Sequence, residues 1–338
     1  MLVLLGWLRP AAADLPAISP ADTSPARVLK VTGERLLDTY IPDNERVAST
    51  FNHGLETFTR TATPAAAWLT LVKTNDTVGL KVYSVPGPIC GTRAATVRAA
   101  VQGLLAAGLP PGHIIIWDKH PAELRAAGYY DLGRDLGVAV MSATETGYDS
   151  NTFYLPDSPV IGQLVWGDLE FGQTNRDTGK RSFVSKLVSQ RLTKIISLVP
   201  LINEDAAGVC GHFYSLALGS VDNTLRFEND PGRLAVALPE IVAQPAVGDH
   251  VALYITDAIL AQYQGGPGGY LQFSTILNQF WFSHDPVALD VLALHELSHE
   301  RAQAQVPGWQ SNLEIYTNAN LLQLGQNQLG EIPVWNIR

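Results

Sequence analysis

Residues 78–117 are VGLKVYSVPGPICGTRAATVRAAVQGLLAAGLPPGHIIIW, and they indicate how the rest of the chain is organised. The apolar run Val78–Ser84 predicts a buried strand that is followed by a loop rich in Pro and Gly. Small and apolar residues then recur with helical spacing and predict a helix over Thr92–Ala107, which the run Gly108–Gly112 ends. The apolar run His113–Trp117 predicts a second buried strand. Strand, helix and strand in this order are typical of a βαβ unit in a parallel sheet.

The same alternation of short apolar runs and helical periods continues on both sides of this unit. Further strands are predicted at Arg27–Thr32, Gly137–Ser142, Lys194–Ile202, His250–Thr256 and Thr275–Phe282, and further helices at Asn44–Thr59, Pro64–Val72, Pro121–Ala127, Phe183–Arg191, Leu234–Ala243 and Pro286–Ala304. This pattern predicts an α/β fold in which a mostly parallel sheet carries helices on both faces.

The predicted domain organisation is simple, since no internal repeat or low-complexity linker divides the chain. We expect an irregular N-terminal arm over residues 1–26 and a single α/β domain over residues 27–338. Turn residues and aromatics replace the helical signals at about residues 144–182. An irregular β-rich insertion is therefore expected there, with a hairpin formed by Val160–Trp166 and Leu169–Gln173.

Composition and charge restrict the class of partner. Of the 338 residues, 46% are hydrophobic and 16% are charged, and the net charge is −9. Such a chain can bury a large core, but it has no basic run that would neutralise the phosphates of a nucleic acid. No segment is long and apolar enough to predict a membrane span. A small-molecule ligand is the partner that these properties favour.

The compartment is left open by the sequence. The apolar run Leu2–Leu8 and the small residues Ala11–Ala13 have the look of an export signal, although no basic residues precede them. We therefore expect either an exported or a cytoplasmic protein. The two cysteines, Cys90 and Cys210, allow one disulfide bond without requiring it.

Polar side chains follow most of the predicted strands, and the carboxyl ends of parallel strands meet at one edge of a sheet. We expect Asp118, Asp257 and Asp285 to bind a divalent cation, which could be Mg²⁺, Ca²⁺, Mn²⁺ or Zn²⁺, because hard cations prefer oxygen ligands. Lys81 and Arg93 are expected to hold an anionic group of the ligand, close to a helix N-terminus.

Individual roles at this edge can be predicted from residue type. Catalytic roles are predicted for Lys81, Asp118 and Glu204, and ligand-binding roles for Thr92, Arg93, His120 and Asn203. Such a site suits a metal-dependent hydrolase or lyase. The alternative is that these residues cap helices and form turns, which is common for polar residues after strands.

A second motif points to a different reaction. His295, Glu296 and His299 form a His-Glu-x-x-His pattern on a predicted helix, which places both imidazoles on one helix face. A zinc ion could bind there with Glu296 as general base, as in a zinc-dependent hydrolase. Such sites need a third ligand, and the nearest downstream candidate, Glu314, has no supporting motif around it. A charged, solvated end of a core helix is the alternative interpretation.

A third interpretation is a non-catalytic binding or scaffold protein. Four aromatic residues of the predicted insertion would then supply the binding surface, namely Tyr148, Phe153, Tyr154 and Trp166. A deep pocket lined by carboxylates with shifted pKa values would count against this interpretation.

Five stretches of the sequence occur together in a known family. They are residues 77–84 (TVGLKVYS), 106–129 (AAGLPPGHIIIWDKHPAELRAAGY), 206–223 (AAGVCGHFYSLALGSVDN), 263–267 (YQGGP) and 283–290 (SHDPVALD). Through them the chain resembles the domain of unknown function 362 family over residues 28–330. The resemblance implies an α/β domain of unassigned activity, and the His-Glu-x-x-His motif is not part of its pattern.

Two departures from the family pattern bear on function. Asn203-Glu204-Asp205 stands where the resemblance leads us to expect Lys-Asp-His, and Tyr83 stands where it leads us to expect Asn. Both positions lie at the ends of predicted strands. The resemblance therefore does not by itself imply that an activity shared by the family is retained here.

Overall fold

A computed structural model describes residues 24–155, 181–308 and 311–338 of the chain. The predicted arm lies outside these residues, apart from its last three positions. The predicted hairpin Val160–Trp166 and Leu169–Gln173 also lies outside them, as does the aromatic residue Trp166.

The elements follow the predicted alternation of strands and helices. The strands are β1 (Val28–Thr32), β2 (Leu37–Asp38), β3 (Ile41–Pro42), β4 (Val78–Lys81), β5 (Ile114–Asp118), β6 (Ala139–Ser142), β7 (Tyr148–Tyr154), β8 (Ser182–Ser185), β9 (Lys194–Glu204), β10 (Gly208–Val209), β11 (Val251–Gln262), β12 (Ser274–Ser283) and β13 (Val334–Ile337). The α-helices are Asn44–Thr59, Pro64–Leu71, Gly87–Cys90, Ala94–Ala106, Pro121–Ala126, Tyr129–Leu136, Ala143–Thr146, His212–Ser220, Pro231–Val242, Pro286–Gln303 and Glu314–Leu321.

The main sheet has the strand order β13-β1-β12-β11-β9-β4-β5-β6, and β10 pairs with β9. Strands β11, β9, β4, β5 and β6 run parallel to one another, so their carboxyl ends share one edge. The chain goes from β4 outward to β5 and β6, and then returns to the other side of β4 with β9. The order of strands therefore reverses between β4 and β9, which is the kind of position where α/β sheets bind ligands.

Helices cover both faces of the sheet, as the sequence predicts. Successive side chains of a strand point to opposite faces, and the two faces of β5 accordingly belong to different apolar clusters. Ile114 and Ile116 pack in a cluster with Phe51, Trp68 and Val101 from the helices before β5. On the other face, Ile115 and Trp117 pack in a cluster with Leu216, Leu238 and Leu289 from the later helices.

The direction of β12 corrects the predicted edge. β12 pairs antiparallel with both β11 and β1, so its carboxyl end lies at the edge opposite to the carboxyl ends of the parallel strands. Ser283 at the end of β12 is paired with Tyr254 near the start of β11. His284 and Asp285 therefore lie away from the edge that carries Asp118. The prediction that they share this edge was wrong because the apolar pattern of a strand contains no information on its direction.

The insertion begins and ends with strands, in agreement with the predicted β-rich character. β7 pairs antiparallel with β8 in a separate two-stranded sheet, where Phe153 lies opposite Phe183. The predicted helix Phe183–Arg191 is wrong in its first part, since Phe183 belongs to β8 and only Leu187–Arg191 is helical, as a single π-helical turn. Tyr148 and Tyr154 are buried, so they do not form the exposed aromatic surface that a scaffold role would use.

The lengths and compositions of the helices bear on membrane insertion. Among the residues that the structure describes, none of the helices combines the length and the apolar character that a crossing of the bilayer requires.

Candidate functional site

A cavity of about 790 Å³ lies at the carboxyl ends of β4, β5 and β9, where the strand order reverses. We call it the switch-point cavity. Three of the predicted site residues line it, namely Asp118, His120 and Glu204. Its other polar lining includes Lys119, Glu123, Tyr214, Ser215, Asp222 and Glu228. A polar cavity at this position of an α/β sheet has the location and size of a small-molecule site.

Lys81 and Asp118 form a buried ion pair at the floor of the cavity. Lys81 Nζ donates to Asp118 Oδ1 at 2.8 Å, to Ser215 Oγ at 2.9 Å and to the carbonyl oxygen of Val82 at 2.7 Å. All three N–H groups of the ammonium therefore have acceptors, and the side chain is fully buried. Lys81 lies beneath the cavity lining, where it holds Asp118 and Ser215 in place, and it is not available to hold an anionic ligand group.

Asp118 is saturated with donors. Besides the bond from Lys81, Oδ1 accepts from the backbone N–H of Lys119 at 2.8 Å. Oδ2 accepts from the backbone N–H of Ser84 at 2.8 Å and from its hydroxyl at 2.6 Å. Burial alone would raise the pKa of Asp118, but Lys81 and Ser84 outweigh that effect and hold the pKa below its usual value. Asp118 is therefore an ionised anchor whose lone pairs are already used.

Lys119 is the second cation of the cavity, and its surroundings differ from those of Lys81. Its Nζ donates to the carbonyl oxygen of Asp222 at 3.1 Å and to Thr224 Oγ1 at 2.9 Å. Within the described part of the chain, no carboxylate lies in ion-pair distance of this ammonium. Burial lowers the pKa of Lys119 to about 8, against the opposing effect of nearby carboxylates such as Glu228. A neutral amine is thus accessible near physiological pH.

Glu123 lies in the same cavity, in the first turn of the helix Pro121–Ala126. Burial, followed by the negative charge of Asp118, raises the pKa of Glu123 to about 7. The helix places Glu123 only five positions after the end of β5, so Lys119 and Glu123 reach the cavity from one short segment. Two side chains that titrate near neutral pH therefore line a single cavity.

Glu204 and Asn203 end β9 on the opposite wall. Glu204 Oε2 accepts from the backbone N–H groups of Ala206 at 2.8 Å and Ala207 at 2.6 Å. Burial raises the pKa of Glu204, while these N–H donors act in the lowering direction. Asn203 does not line the cavity, and its Oδ1 accepts from the backbone N–H of Gly266 at 3.0 Å. Asn203 thus holds the loop whose residue Pro267 reaches the cavity.

Gly266 can approach Asn203 because it has no side chain. A Cβ at residue 266 would lie 1.7 Å from the Asn203 carbonyl oxygen, so Gly266→Ala must displace backbone. We expect this variant to lose about 1–3 kcal/mol of unfolding free energy, the usual cost of overpacking, as measured by urea denaturation. Gly112→Ala is the matched control, because a Cβ at residue 112 would meet nothing within 4 Å. Equal losses in both variants would contradict the packing argument.

Arg93, Asp257 and Thr92 form a structural group outside the cavity lining. Arg93 Nη1 donates to Asp257 Oδ1 at 2.7 Å, and both side chains are buried. The other Asp257 oxygen accepts from Thr96 Oγ1 at 2.8 Å. Thr92 Oγ1 donates to the Leu198 carbonyl oxygen at 2.7 Å, which ties the helix start to β9. The predicted ligand-binding roles of Arg93 and Thr92 are not supported, because these polar groups are used internally.

Asp285 caps a helix at the opposite edge of the sheet. Its Oδ1 accepts from the backbone N–H of Ala288 at 2.8 Å and its Oδ2 from that of Gln326 at 2.8 Å. The predicted metal set of Asp118, Asp257 and Asp285 is therefore not brought together, since each carboxylate lies in its own hydrogen-bonded environment. In residues 24–155, 181–308 and 311–338, no group of three or more His, Cys, Asp or Glu side chains is placed to hold a metal ion.

The His-Glu-x-x-His motif lies on the helix Pro286–Gln303, as predicted. His295 and His299 are exposed, and the Nε2 of His299 lies 3.4 Å from Gln303 Nε2. Glu296 is ion-paired with Lys30, whose Nζ lies 3.6 Å from Glu296 Oε2 and 3.6 Å from the centroid of the Trp281 ring. The motif is thus a solvated helix face with one structural ion pair, and it has no third ligand among the described residues.

The two cysteines are free and buried. Cys90 and Cys210 belong to one small apolar cluster that also contains Tyr83, beside the cavity. Burial raises the pKa of both thiols, so neither is activated as a nucleophile.

Several cavity residues could not be identified from strand ends. The helix His212–Ser220 contributes Tyr214, Ser215 and Gly219 to the lining. Its sequence is rich in small residues and shows no clear apolar helical period, so the sequence did not predict this helix. The available signal was the resemblance, because residues 106–129, 206–223 and 263–267 each contribute to the cavity lining. Residues 77–84 also contribute, through Tyr83, so four of the five quoted motifs converge on one site, whereas residues 283–290 lie at the other edge.

Comparison with known proteins adds little to this geometry. No protein-family model matches the chain, and no curated protein matches it. Two solved chains match, and one of them is a Thermotoga maritima protein whose crystal structure comes from the Northeast Structural Genomics Consortium. That protein shares 11% identity, with 78% of this chain and 59% of the other chain covered and a TM-score of 0.41. This chain therefore spans less than two thirds of that neighbour's length, and likeness at this level carries no inference about activity.

Proposed function

We propose that this protein is an enzyme that binds a small polar molecule in the switch-point cavity and acts on it by acid–base chemistry of the hydrolase or lyase type. The observation that carries the proposal is the presence of Lys119 and Glu123 in one cavity, with pKa values of about 8 and about 7. Side chains that titrate near the working pH are the most effective proton donors and acceptors. Shifted pKa values that coincide with a cavity are a recognised feature of active sites.

The charge of the lining favours a ligand without strong negative charge. Five carboxyl groups line the cavity, namely those of Asp118, Glu123, Glu204, Asp222 and Glu228. Lys119 and His120 are the basic residues among the lining side chains. An anionic ligand would be repelled by most of this surface. The ligand is therefore proposed to be neutral or cationic, in place of the anionic group expected from Lys81 and Arg93.

A divalent cation, which the sequence analysis predicts at this edge, is a separate proposal. Asp118 has no unused lone pair for a cation, so any such ion would rely on the other carboxylates of the cavity or on the ligand itself. The bound metal content of the wild type and of Glu204→Gln, both purified without chelator or His-tag and measured by elemental analysis, tests this proposal. Membership of the domain of unknown function 362 family likewise stays a proposal that rests on the converging motifs.

Glu123→Gln is expected to abolish the glutamate carboxyl titration near pH 7 and to lower turnover about 100-fold or more, the usual contribution of a general acid or base. The titration can be followed without knowledge of the substrate by ¹³C NMR of protein labelled at the glutamate Cδ carboxyls, which excludes the signal of Asp290, a second carboxyl with a pKa of about 7. Turnover is measured on the best substrate from a panel of small neutral and cationic hydrolase and lyase substrates.

Glu45→Gln is the matched control, because Glu45 is exposed in the first turn of a helix remote from the cavity lining. It should change neither the titration near pH 7 nor turnover. If all glutamate carboxyl groups of the wild type titrate below about pH 5, or if turnover survives Glu123→Gln unchanged, the proposed acid–base role is wrong.

A further inference from the structure

Resting on the proposed function, we infer that Lys119 is a covalent nucleophile and that the ligand of the switch-point cavity is a small neutral aldehyde or ketone, which Lys119 binds as an imine. In the part of the chain that the structure describes, two lysines lie at this site, and only one of them is arranged for this reaction. Lys81 and Lys119 differ in the hydrogen-bond partners of their ammonium groups.

Lys81 has three acceptors for its three N–H groups, including the Asp118 carboxylate, and its side chain is completely buried. Lys119 has two acceptors, both uncharged oxygens, and its side chain lines the cavity. An ammonium that forms an ion pair is held in its charged form, whereas one that is desolvated without an ion pair loses a proton more easily. Lys119 is therefore the amine that can become a nucleophile.

The protonation state agrees with this geometry. With a pKa of about 8, roughly a tenth of the Lys119 side chains carry a neutral amine at pH 7. Lysines desolvated in this way are the ones that form Schiff bases with carbonyl compounds. The two oxygens that bind Nζ also orient it, because the carbonyl oxygen of Asp222 and the hydroxyl of Thr224 fix two of its directions.

The reaction requires a proton donor, and Glu123 is suited to this role. The nitrogen lone pair of Lys119 forms the new C–N bond while the carbonyl π electrons move to oxygen. Glu123 delivers two protons to that oxygen in turn and recovers each of them from the nitrogen, so that the oxygen leaves as water. The products are the imine and water, and Glu123 ends in its initial state. Its pKa of about 7 allows both the donation and the recovery.

The remaining lining determines the class of carbonyl compound. The carboxyl groups of Glu228, Asp222 and Asp118 place negative charge near the amine, so a keto acid or an aldehyde acid would be repelled. Hydroxyl groups of Thr144 and Ser215 in the lining can bond to a neutral, hydroxylated carbonyl compound. Small neutral aldehydes and ketones are therefore the expected substrates.

Reductive trapping tests the inference on the full-length protein. Glycolaldehyde, a neutral aldehyde, or glyoxylate, an anionic one, is added at pH 7 together with cyanoborohydride, and modified lysines are quantified by peptide mass spectrometry. We expect glycolaldehyde to modify Lys119 at least about tenfold faster than the exposed Lys73 of the same molecule, because the Lys119 amine lines the cavity, is oriented by two oxygens and has a pKa that burial lowers to about 8. The ratio of Lys119 to Lys73 modification should be smaller with glyoxylate.

Two variants complete the experiment. Lys119→Arg should remove the fast modification without changing that of Lys73, and Glu123→Gln should slow it at Lys119 alone. Circular dichroism of both variants establishes that they are folded. If Lys119 reacts no faster than Lys73 in the wild type, the inference is wrong. In that case a glutamate carboxyl titration near pH 7 that disappears in Glu123→Gln would still support the proposed function, whereas its absence would overturn both.

Discussion

Arg93→Met is expected to lower the free energy of unfolding by about 3–5 kcal/mol, because it leaves the Asp257 carboxylate buried without its cation. Arg93 and Asp257 are 2% and 0% exposed, and the carboxylate is enclosed by Thr96 and the backbone N–H of Ile259. Water cannot replace the guanidinium at such a position. Urea denaturation of wild type and variant, analysed by linear extrapolation, gives the difference directly.

An exposed ion pair supplies the control. Arg134 and Asp131 form a pair at 2.7 Å with 75% and 76% of their side chains exposed. Arg134→Met should therefore cost less than about 1 kcal/mol. The double variant Arg93→Met/Asp257→Leu should be less destabilised than Arg93→Met, since no unpaired charge remains buried. If Arg93→Met and Arg134→Met have equal effects, the pair does not have the structural importance that its burial indicates.

Asp290 is expected to make the protein less stable by about 4 kcal/mol as the pH rises from about 4 to about 7. Its carboxylate lies at the start of the helix His212–Ser220, where it accepts from the backbone N–H groups of His212 at 2.8 Å and Phe213 at 3.1 Å. Burial is the largest effect and raises the pKa of Asp290 from 3.8 to about 7. The adjacent His212 is kept neutral, because burial lowers its pKa to about 3.

The direction of the pH dependence of stability follows from which state, folded or unfolded, holds the Asp290 proton. Between about pH 4 and pH 7 the folded state retains the Asp290 proton while the unfolded state releases it, so stability falls as the pH rises through this range. Three pKa units correspond to about 4 kcal/mol. Below pH 4 both states are protonated, and above pH 7 both are ionised, so the contribution is constant outside the window.

Asp290→Asn isolates this contribution, because asparagine does not titrate. The stability of the wild type minus that of Asp290→Asn should be about 4 kcal/mol more favourable at pH 4 than at pH 8, as measured by urea denaturation at both pH values. Asp249→Asn, at an exposed position, is the control for the substitution itself. A pH-independent difference for Asp290→Asn would mean that the carboxylate ionises as easily as it does in the unfolded chain.

The first prediction concerns two residues that the sequence analysis places in a candidate site. Arg93 and Asp257 follow or lie within strands at the edge where ligands bind, and yet they satisfy each other. Lys119 and Glu123, by contrast, lie in a short segment at the start of the helix Pro121–Ala126, which by its residue types could equally have formed a solvated helix end. What separates the two pairs is the presence or absence of a buried partner of opposite charge.

The local elements of the fold could be predicted from the sequence because their information is local. Buried strands such as β5 are continuous apolar runs, and the helix Ala94–Ala106 has its apolar residues at helical spacing. The α/β class follows from the order of such elements, and the structure confirms a mostly parallel sheet with helices on both faces. Asp118, His120 and Glu204 could be assigned to one edge for the same reason, since they directly follow strands that do run parallel.

Tertiary structure alone decided the direction of β12, the pairing of Arg93 with Asp257 and the recruitment of Ser215 to the cavity. The apolar pattern of a strand is the same whether it runs parallel or antiparallel, and only its neighbours β1 and β11 select the direction of β12. Whether a lysine is neutralised or reactive depends likewise on side chains distant in sequence, as Asp118 is from Lys81 by 37 positions. The sequence by itself determined the fold class and the strand-end location of the cavity, whereas long-range packing decided which charges within it remain unpaired, because desolvation and pairing depend on the assembled neighbours.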